Sequence, residues 1–325
     1  MANQDRVELY PGSRRAPIKS RKVGYALVVF ATAGWASLGL LGKLAFALGI
    51  GPQALVTLRV IMAVAIVLIV LLLTDRNALH IPRESLLLFT TLGVATALNY
   101  SMFFHGVARL SVGVSISIFY LYPVFVTLAA HFFLKEPFSW EKGGALLIAI
   151  AGTSLVSGMW ESAVSLSALG IAFVLASAVG CATYTLLVKV ALRVHPPTRV
   201  LAYSLTFSLP FLIAATLLTH ERLIAPYPIE AWGVVLLIAL FPTLIAYYLF
   251  NLALERIEAG RASIIGTLEP VLASLLAFIF LRERLTLLQG VGILFILVGA
   301  GLAQYKRVGP RGIDELPLTG EEAIR

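Results

Sequence analysis

Cysteine is almost missing from these 325 residues, with Cys181 standing alone. No disulfide can therefore close within the chain, and no cysteine cage can hold a metal. Charge is scarce as well, at 13% of residues, where soluble domains carry about 25%. Acid is scarcest of all in the apolar stretches, where Glu269 is the only carboxylate well inside a run. The chain has no His-Glu-x-x-His, no Gly-x4-Gly-Lys-Ser/Thr and no Gly-x-Ser-x-Gly, the patterns that mark zinc hydrolysis, phosphate cradling and serine nucleophiles. These absences argue against an enzyme and against an ATP-driven pump in one chain. They leave no catalytic residue, no metal and no cofactor to assign.

Hydrophobic residues make up 59% of the chain, more than a globular core of this length can bury. The excess must face lipid. A spanning helix needs about 20 mostly apolar residues to cross roughly 30 Å of hydrocarbon. Ten such runs occur, at 24–46, 53–74, 85–108, 112–134, 142–159, 166–192, 200–219, 231–254, 262–281 and 286–304. They lack the two-residue alternation of barrel strands, which predicts an all-α membrane protein with ten transmembrane helices.

The formal charge of +8 does not mark a nucleic-acid partner, because the basic residues flank the apolar runs. With the N-terminus inside, 18 lysines and arginines fall on inner segments and four on outer loops. The four are Arg109, Arg222, Arg282 and Arg284. Lys43, Arg59 and Lys189 lie within spans. Such a bias places both termini in the cytoplasm of a plasma (bacterial inner) membrane. Residues 1–22 then read as a cytoplasmic tail followed by a retained first span, since a cleaved signal has an apolar core of roughly 7–15 residues. Residues 306–325 form a second cytoplasmic tail.

The chain also repeats. An offset of 147 residues carries Arg109 onto Arg256, Gly113 onto Gly260, Pro123 onto Pro270, Glu136 onto Glu283 and Gly152 onto Gly299. Near the start of each half an offset of 146 pairs Gly24 with Gly170, Gly34 with Gly180 and Lys43 with Lys189. The halves run over 23–159 and 160–305. Each holds five spans, an odd number, so the two are inverted repeats. Inverted repeats favour alternating access, because one packing can open toward either face.

Tyr120-Leu-Tyr-Pro-Val-Phe125 with Leu134-Lys-Glu136, and Leu268-Glu-Pro-Val271 with Leu281-Arg-Glu283, resemble the two EamA-domain signatures of the drug/metabolite transporter superfamily. Trp35 with Lys43 is similar to that family's first-span motif, and Leu58-Arg59 to its second. The resemblance covers about 24–305. It implies a ten-helix transporter with a central cavity lined by spans one to four and six to nine. Spans five and ten would stand aside for packing or dimer contacts. Many relatives export amino acids or other small metabolites, and others take up sugars or nucleotide-linked compounds.

Several residues carry candidate chemistry. Glu269 suits proton or ion coupling, because acids at that depth mark relays; fastening helix nine is the competing role. Pro123 and Pro270 each remove a backbone donor and read as matched hinges or as plain kinks. Tyr100 and Tyr247 match at the 147 offset, with Asn99 beside the first and Asn251 one turn beyond the second. With Tyr120 they offer aromatic and amide walls for a small-molecule substrate, or interhelical hydrogen bonds. Lys43 and Lys189 could meet a substrate carboxylate, although snorkelling or helix pairing suits them too; Arg59 reads the same way. Glu136 and Glu283 read as markers of helix ends. Ala145, Ala149, Thr153 and Ser157 make a small-residue stripe fit for close packing or a homodimer contact. The expected function is secondary transport, with export of amino acids or related compounds ahead of proton-coupled import of a sugar or similar nutrient. A membrane-embedded enzyme or receptor ranks behind both.

Overall fold

The computed structural model describes residues 18–160, 167–282 and 285–304. Helices start where the sequence supplies a hydroxyl or a proline. Ser139 and Ser167 accept the N–H groups of Lys142 and Gly170, and Pro52 and Pro197 occupy first-turn positions that need no donor. The resulting elements are α1 (Ile18–Ala47), α2 (Pro52–Thr74), α3 (Leu86–Val107), α4 (Val112–Phe119), α5 (Tyr122–Leu134), α6 (Trp140–Val156) and α7 (Ala168–Ala191). They continue with α8 (Pro197–Leu218), α9 (Ile229–Ile238), a π segment (Ala239–Ile245), α10 (Ala246–Arg256), α11 (Ala259–Gly266), α12 (Glu269–Leu281) and α13 (Leu287–Gln304). No strand occurs among the described residues. This is an all-α membrane protein.

Nine of the described rods are long and apolar enough to cross a bilayer. The run expected at 142–159 is the 17-residue α6, too short for that criterion. Helix begins earlier than expected at the N-terminus, because Ile18–Lys22, assigned to the tail, already form the first turn of α1. The 306–325 tail and Glu283 lie outside the described residues. Large apolar side chains point outward, among them Phe133 (81% exposed) and Leu218 (81%). Such exposure is tolerable only against lipid.

The spans of Pro123 and Pro270 are both broken one turn ahead of the proline, at Tyr120–Leu121 and Thr267–Leu268. Proline supplies no donor and clashes with the carbonyl four residues earlier, which weakens the preceding turn; here that turn breaks, whereas α8 runs on through Pro210. All four boundaries of α4 and α5 recur in α11 and α12 after 147 residues. So does the left-handed cap, with φ of 55° at both Lys135 and Arg282.

Glycine contacts fix how the halves pack. A Cβ on Gly24 would press on Arg256 and Ile257, while one on its mate Gly170 would press on Arg109 and Leu110, the mates of that pair. Gly34 meets Ala246, and Gly180 meets the backbone of Asn99, again related residues. In α6 and α13, Gly152 meets the Gly292 carbonyl while Gly299 meets the Ala145 carbonyl. Each pairing runs antiparallel and each is reciprocal. A pseudo-two-fold axis therefore relates the halves, and the repeat is inverted. Of the stripe offered for a dimer, Ala145 and Ala149 meet Gly299 of α13 in the same chain, Thr153 is buried, and Ser157 pairs with Ser117 of α4.

Candidate functional site

Tyr100 and Tyr247 occupy related positions on α3 and α10 and touch each other, with ring centroids 6.1 Å apart. The pseudo-two-fold axis thus passes between them. Around Tyr247 gather Trp35 of α1 at 5.2 Å and Tyr184 of α7 at 5.5 Å, both edge-on. Edge-to-face geometry suits the ring quadrupoles and leaves the hydroxyl and indole groups free to turn inward. On the far side of Tyr100, the Arg59 guanidinium of α2 lies over the ring with Cζ 4.4 Å from its centroid.

The π segment delivers part of this cluster. Pro242 interrupts the ladder of the eighth rod, and Thr243 bonds back to the Ile238 carbonyl at 2.9 Å. One residue of slack rotates everything beyond it, including Tyr247 and Asn251 on α10. Such bulges recur at functional sites. Gly34 lets α1 close on this segment, meeting the Phe241 carbonyl and Ala246.

Hydrogen bonding at the centre is poor. Trp35 Nε1 and Arg59 Nε are buried without a partner, and the Tyr100 and Tyr184 hydroxyls and the Asn251 amide, with only Tyr247, Ser204 and one another as polar neighbours, make no hydrogen bond of good geometry. Buried polar atoms are paired in the great majority of cases, so a cluster this loosely paired requires an explanation. A bound polar molecule supplies one.

The other expected site residues spread outward from there. Asn99 faces α7, where its carbonyl and side-chain oxygens both accept the Ser177 hydroxyl. Glu269 is the first residue of α12, at the helix break, with Tyr120 as its hydrogen-bonding neighbour. A carboxylate there meets the N–H end of a helix. Pro123 and Pro270 follow the two breaks. Lys43 and Lys189 sit at opposite ends of the bundle, away from the tyrosines.

The Lys189 end is sealed. Lys189 Nζ donates to the Ile257 carbonyl at 2.7 Å and to that of Leu254. Glu136 accepts the Ala259 and Gly260 N–H groups at 2.7 and 3.2 Å, capping α11. Lys142 Nζ pairs with Glu258 at 2.8 Å, and Arg261 Nε with the same carboxylate at 3.0 Å. Burial pushes the Glu258 carboxyl up, but these two cations outweigh it and hold the group below the ordinary carboxylate range. Beneath this clasp α5 and α11 pack together, and the Tyr122 hydroxyl donates to the Ser263 carbonyl at 3.3 Å.

At the Lys43 end the related helices α4 and α12 stand apart. Between them lies a cavity of about 280 Å³ lined by Gly39, Lys43, Ile116, Ser274, Ala277 and Gln289. A second, apolar groove of about 610 Å³ runs sideways between α1 and α12, past Phe30, Phe241 and Phe280. Leu40 and Leu276 line both spaces.

Trp35, Arg59 and Tyr184 were not assigned to the site from sequence. Trp35 pairs with Cys181 and Tyr184 with Leu38 at the 146 offset, so the repeat draws no attention to either. Arg59 gave a signal, a cation within an apolar run, but that signal also fits a snorkelling side chain. Its 5% exposure excludes snorkelling.

Comparison with known proteins places this geometry. The profile of the EamA-like transporter family matches residues 22–158 and again 168–304. A Bacillus subtilis protein named uncharacterized transporter YxxF is 28% identical over 227 residues, which is 68% of this chain and 70% of that protein. An Archaeoglobus fulgidus protein, named only as an uncharacterized transporter, is 27% identical over 79% of this chain and 90% of its own length. A solved crystal structure at 19% identity superposes with a TM-score of 0.73, covering 88% of this chain and 96% of that one, and so shares the fold.

Proposed function

This chain belongs to the EamA-like transporter family, and from that premise we propose that it moves small metabolites by alternating access, as a secondary exporter of amino acids or related compounds. The observation that carries the mechanism is a departure from symmetry. The pairings α1–α10 and α3–α7, α1–α12 and α5–α7, and α4–α6 and α11–α13 match across the pseudo-two-fold axis, but α5 packs on α11 while α4 and α12 are parted. A bundle with two such equivalent arrangements can exchange them, sealing the Lys43 end as the Lys189 end opens. On the orientation that the charge bias favours, the Lys189 end would face the cytoplasm, α6 would be a tenth crossing and both termini would lie inside; the membrane would be a bacterial inner membrane. On that orientation the structure is open to the outside.

Cargo would rest among Tyr100, Tyr247, Asn251 and Tyr120, between the two gates. Pro123 and Pro270 would be the hinges, since each helix break allows the half-helix beyond it to swing. Lys189 holds the cytoplasmic gate shut in this state, and Lys43 would do the same for the outer gate. Glu269, beside Tyr120, would carry the coupling proton. The same geometry would serve a proton-coupled importer of a sugar or similar nutrient, which differs in direction and coupling.

Flux into liposomes containing the purified protein tests this reading. Counterflow of at least one compound from a panel of amino acids, sugars and nucleotides is expected, and none across the panel would overturn it. Glu269→Gln is expected to abolish dependence on a pH gradient while exchange persists; an unaltered pH response would remove Glu269 from the coupling role.

A further inference from the structure

We infer that Arg59 reads the charge of the cargo, and that the cargo presents one carboxylate to it. The inference rests on the transport reading above and adds the chemical class of what is carried. Arg59 is the eighth residue of α2, well inside an apolar helix. A guanidinium there keeps its charge, and a charge at such depth is costly unless something in the bundle answers it.

Nothing described does so in full. Arg59 is 5% exposed, it forms no ion pair with a described carboxylate, and its Nε meets no acceptor. The Tyr100 ring face balances part of the charge and fixes the guanidinium plane. A ring face fills none of the fork of N–H donors, however. Other buried cations are treated differently. Lys142 has the Glu258 carboxylate and the Pro137 carbonyl, and Lys189 has two carbonyls. Those cations hold the fold together. Arg59 is left with its Nε open and no carboxylate among the described residues, beside aromatic and amide groups whose polar atoms make only loose contacts with one another.

A planar acceptor of one negative charge completes this arrangement. A carboxylate matches the guanidinium fork with two parallel hydrogen bonds. One cation balances one anion, so a phosphomonoester dianion would bring a second negative charge that no group in the cluster answers. The Tyr100 and Tyr184 hydroxyls and the Asn251 amide, which both donates and accepts, can take a further polar group of the same molecule. Trp35 and Tyr247 cover its apolar part.

The test is thermal unfolding of the full-length protein in detergent, with benzoate, phenylacetate and hydrocinnamate, each beside its carboxamide, and with phenyl phosphate. At least one carboxylate should raise Tm while its carboxamide does not. Arg59→Gln should weaken that carboxylate by about ten- to hundredfold in apparent Kd, the loss expected for a charge-assisted contact, and Arg59→Lys should restore part of it. Equal stabilisation by the carboxamide, stabilisation by phenyl phosphate alone, no response to any carboxylate, or an unchanged response in Arg59→Gln would each overturn the inference. If Arg59→Gln fails to fold, the isosteres on the unaltered protein and Arg59→Lys decide the matter. Liposome flux separates the two readings. Arg59-dependent binding without flux would overturn transport and keep the Arg59 assignment, whereas flux of neutral compounds untouched by Arg59→Gln would do the reverse.

Discussion

The two ends of the bundle are made from related helices in the same 147-residue register, yet one is clasped and the other parted. At the Lys189 end, Glu136 caps α11 and Lys142 joins Glu258 across the seam. At the Lys43 end, Gln289 stands where the register would place the mate of Lys142, and Ser111 where it would place the mate of Glu258. The ion pair has no counterpart there. The comparison teaches that duplication supplied the architecture and the hinges, while later divergence gave the ends clasps of different strength. A transporter needs both states accessible within a few kcal/mol, so unequal clasps set which state is populated at rest.

The largest effect should come from locking the sealed end. A Cβ on Gly260 would lie 3.5 Å from the Thr127 Cα, within disulfide geometry. Thr127→Cys with Gly260→Cys, in a Cys181→Ser background, should cross-link readily and abolish flux, with recovery on reduction. Full flux in the cross-linked protein would break the comparison.

Weakening the clasp comes next. Glu136→Gln replaces a charged cap on two backbone N–H groups, an interaction of about 1.5–3 kcal/mol. The population open at the Lys189 end should rise roughly 10- to 100-fold, read as faster labelling of a cysteine at Ser263. No change in labelling would show that Glu136 caps α11 without gating.

The symmetric region sharpens the contrast. Gly152→Val and Gly299→Val push side chains into the partner backbone at related contacts of 2.7 and 2.9 Å. Each should lower stability by about 1–3 kcal/mol, and by similar amounts. A large effect from one and none from the other would mean that α6 and α13 are not equivalent.

The smallest effect concerns pH. The Glu258 carboxyl is held below its ordinary value of 4.5 in the folded protein. It therefore favours the clasp at all pH above that value, and the contribution fades as pH falls through the lowered one. The labelling rate of the Ser263 cysteine should stay flat from neutrality to about pH 5 and rise below it. Glu258→Gln should label at the raised rate throughout, and a clasp that loosens near neutrality would point to another group.

Much of this fold is legible in the sequence, because lipid imposes long apolar runs. Pro123 and Pro270 draw attention to the two interruptions as hinges or kinks, while Pro210 leaves α8 unbroken, and the repeat pairs Tyr100 with Tyr247 as equivalents without revealing that they touch. The length of α6 was not legible. Its early turns carry Glu141, Lys142 and two glycines, and its end dissolves into a turn before Trp160. The π segment was hidden because hydropathy records apolarity but not the hydrogen-bonding period. Arg59 was visible but ambiguous, since depth and orientation separate a snorkelling arginine from a buried one, and only the packing of α2 against α8 supplies them.

The central claim is that the ends close in turn, and two residues that line the open cavity from its two walls test it directly. They are Ile116 of α4 and Ser274 of α12. In a Cys181→Ser background, Ile116→Cys with Ser274→Cys should cross-link slowly at rest. Glu136→Gln should speed the reaction, and the cross-link should stop flux. Undiminished flux in a protein whose Ile116 and Ser274 cysteines never cross-link under turnover would contradict the account.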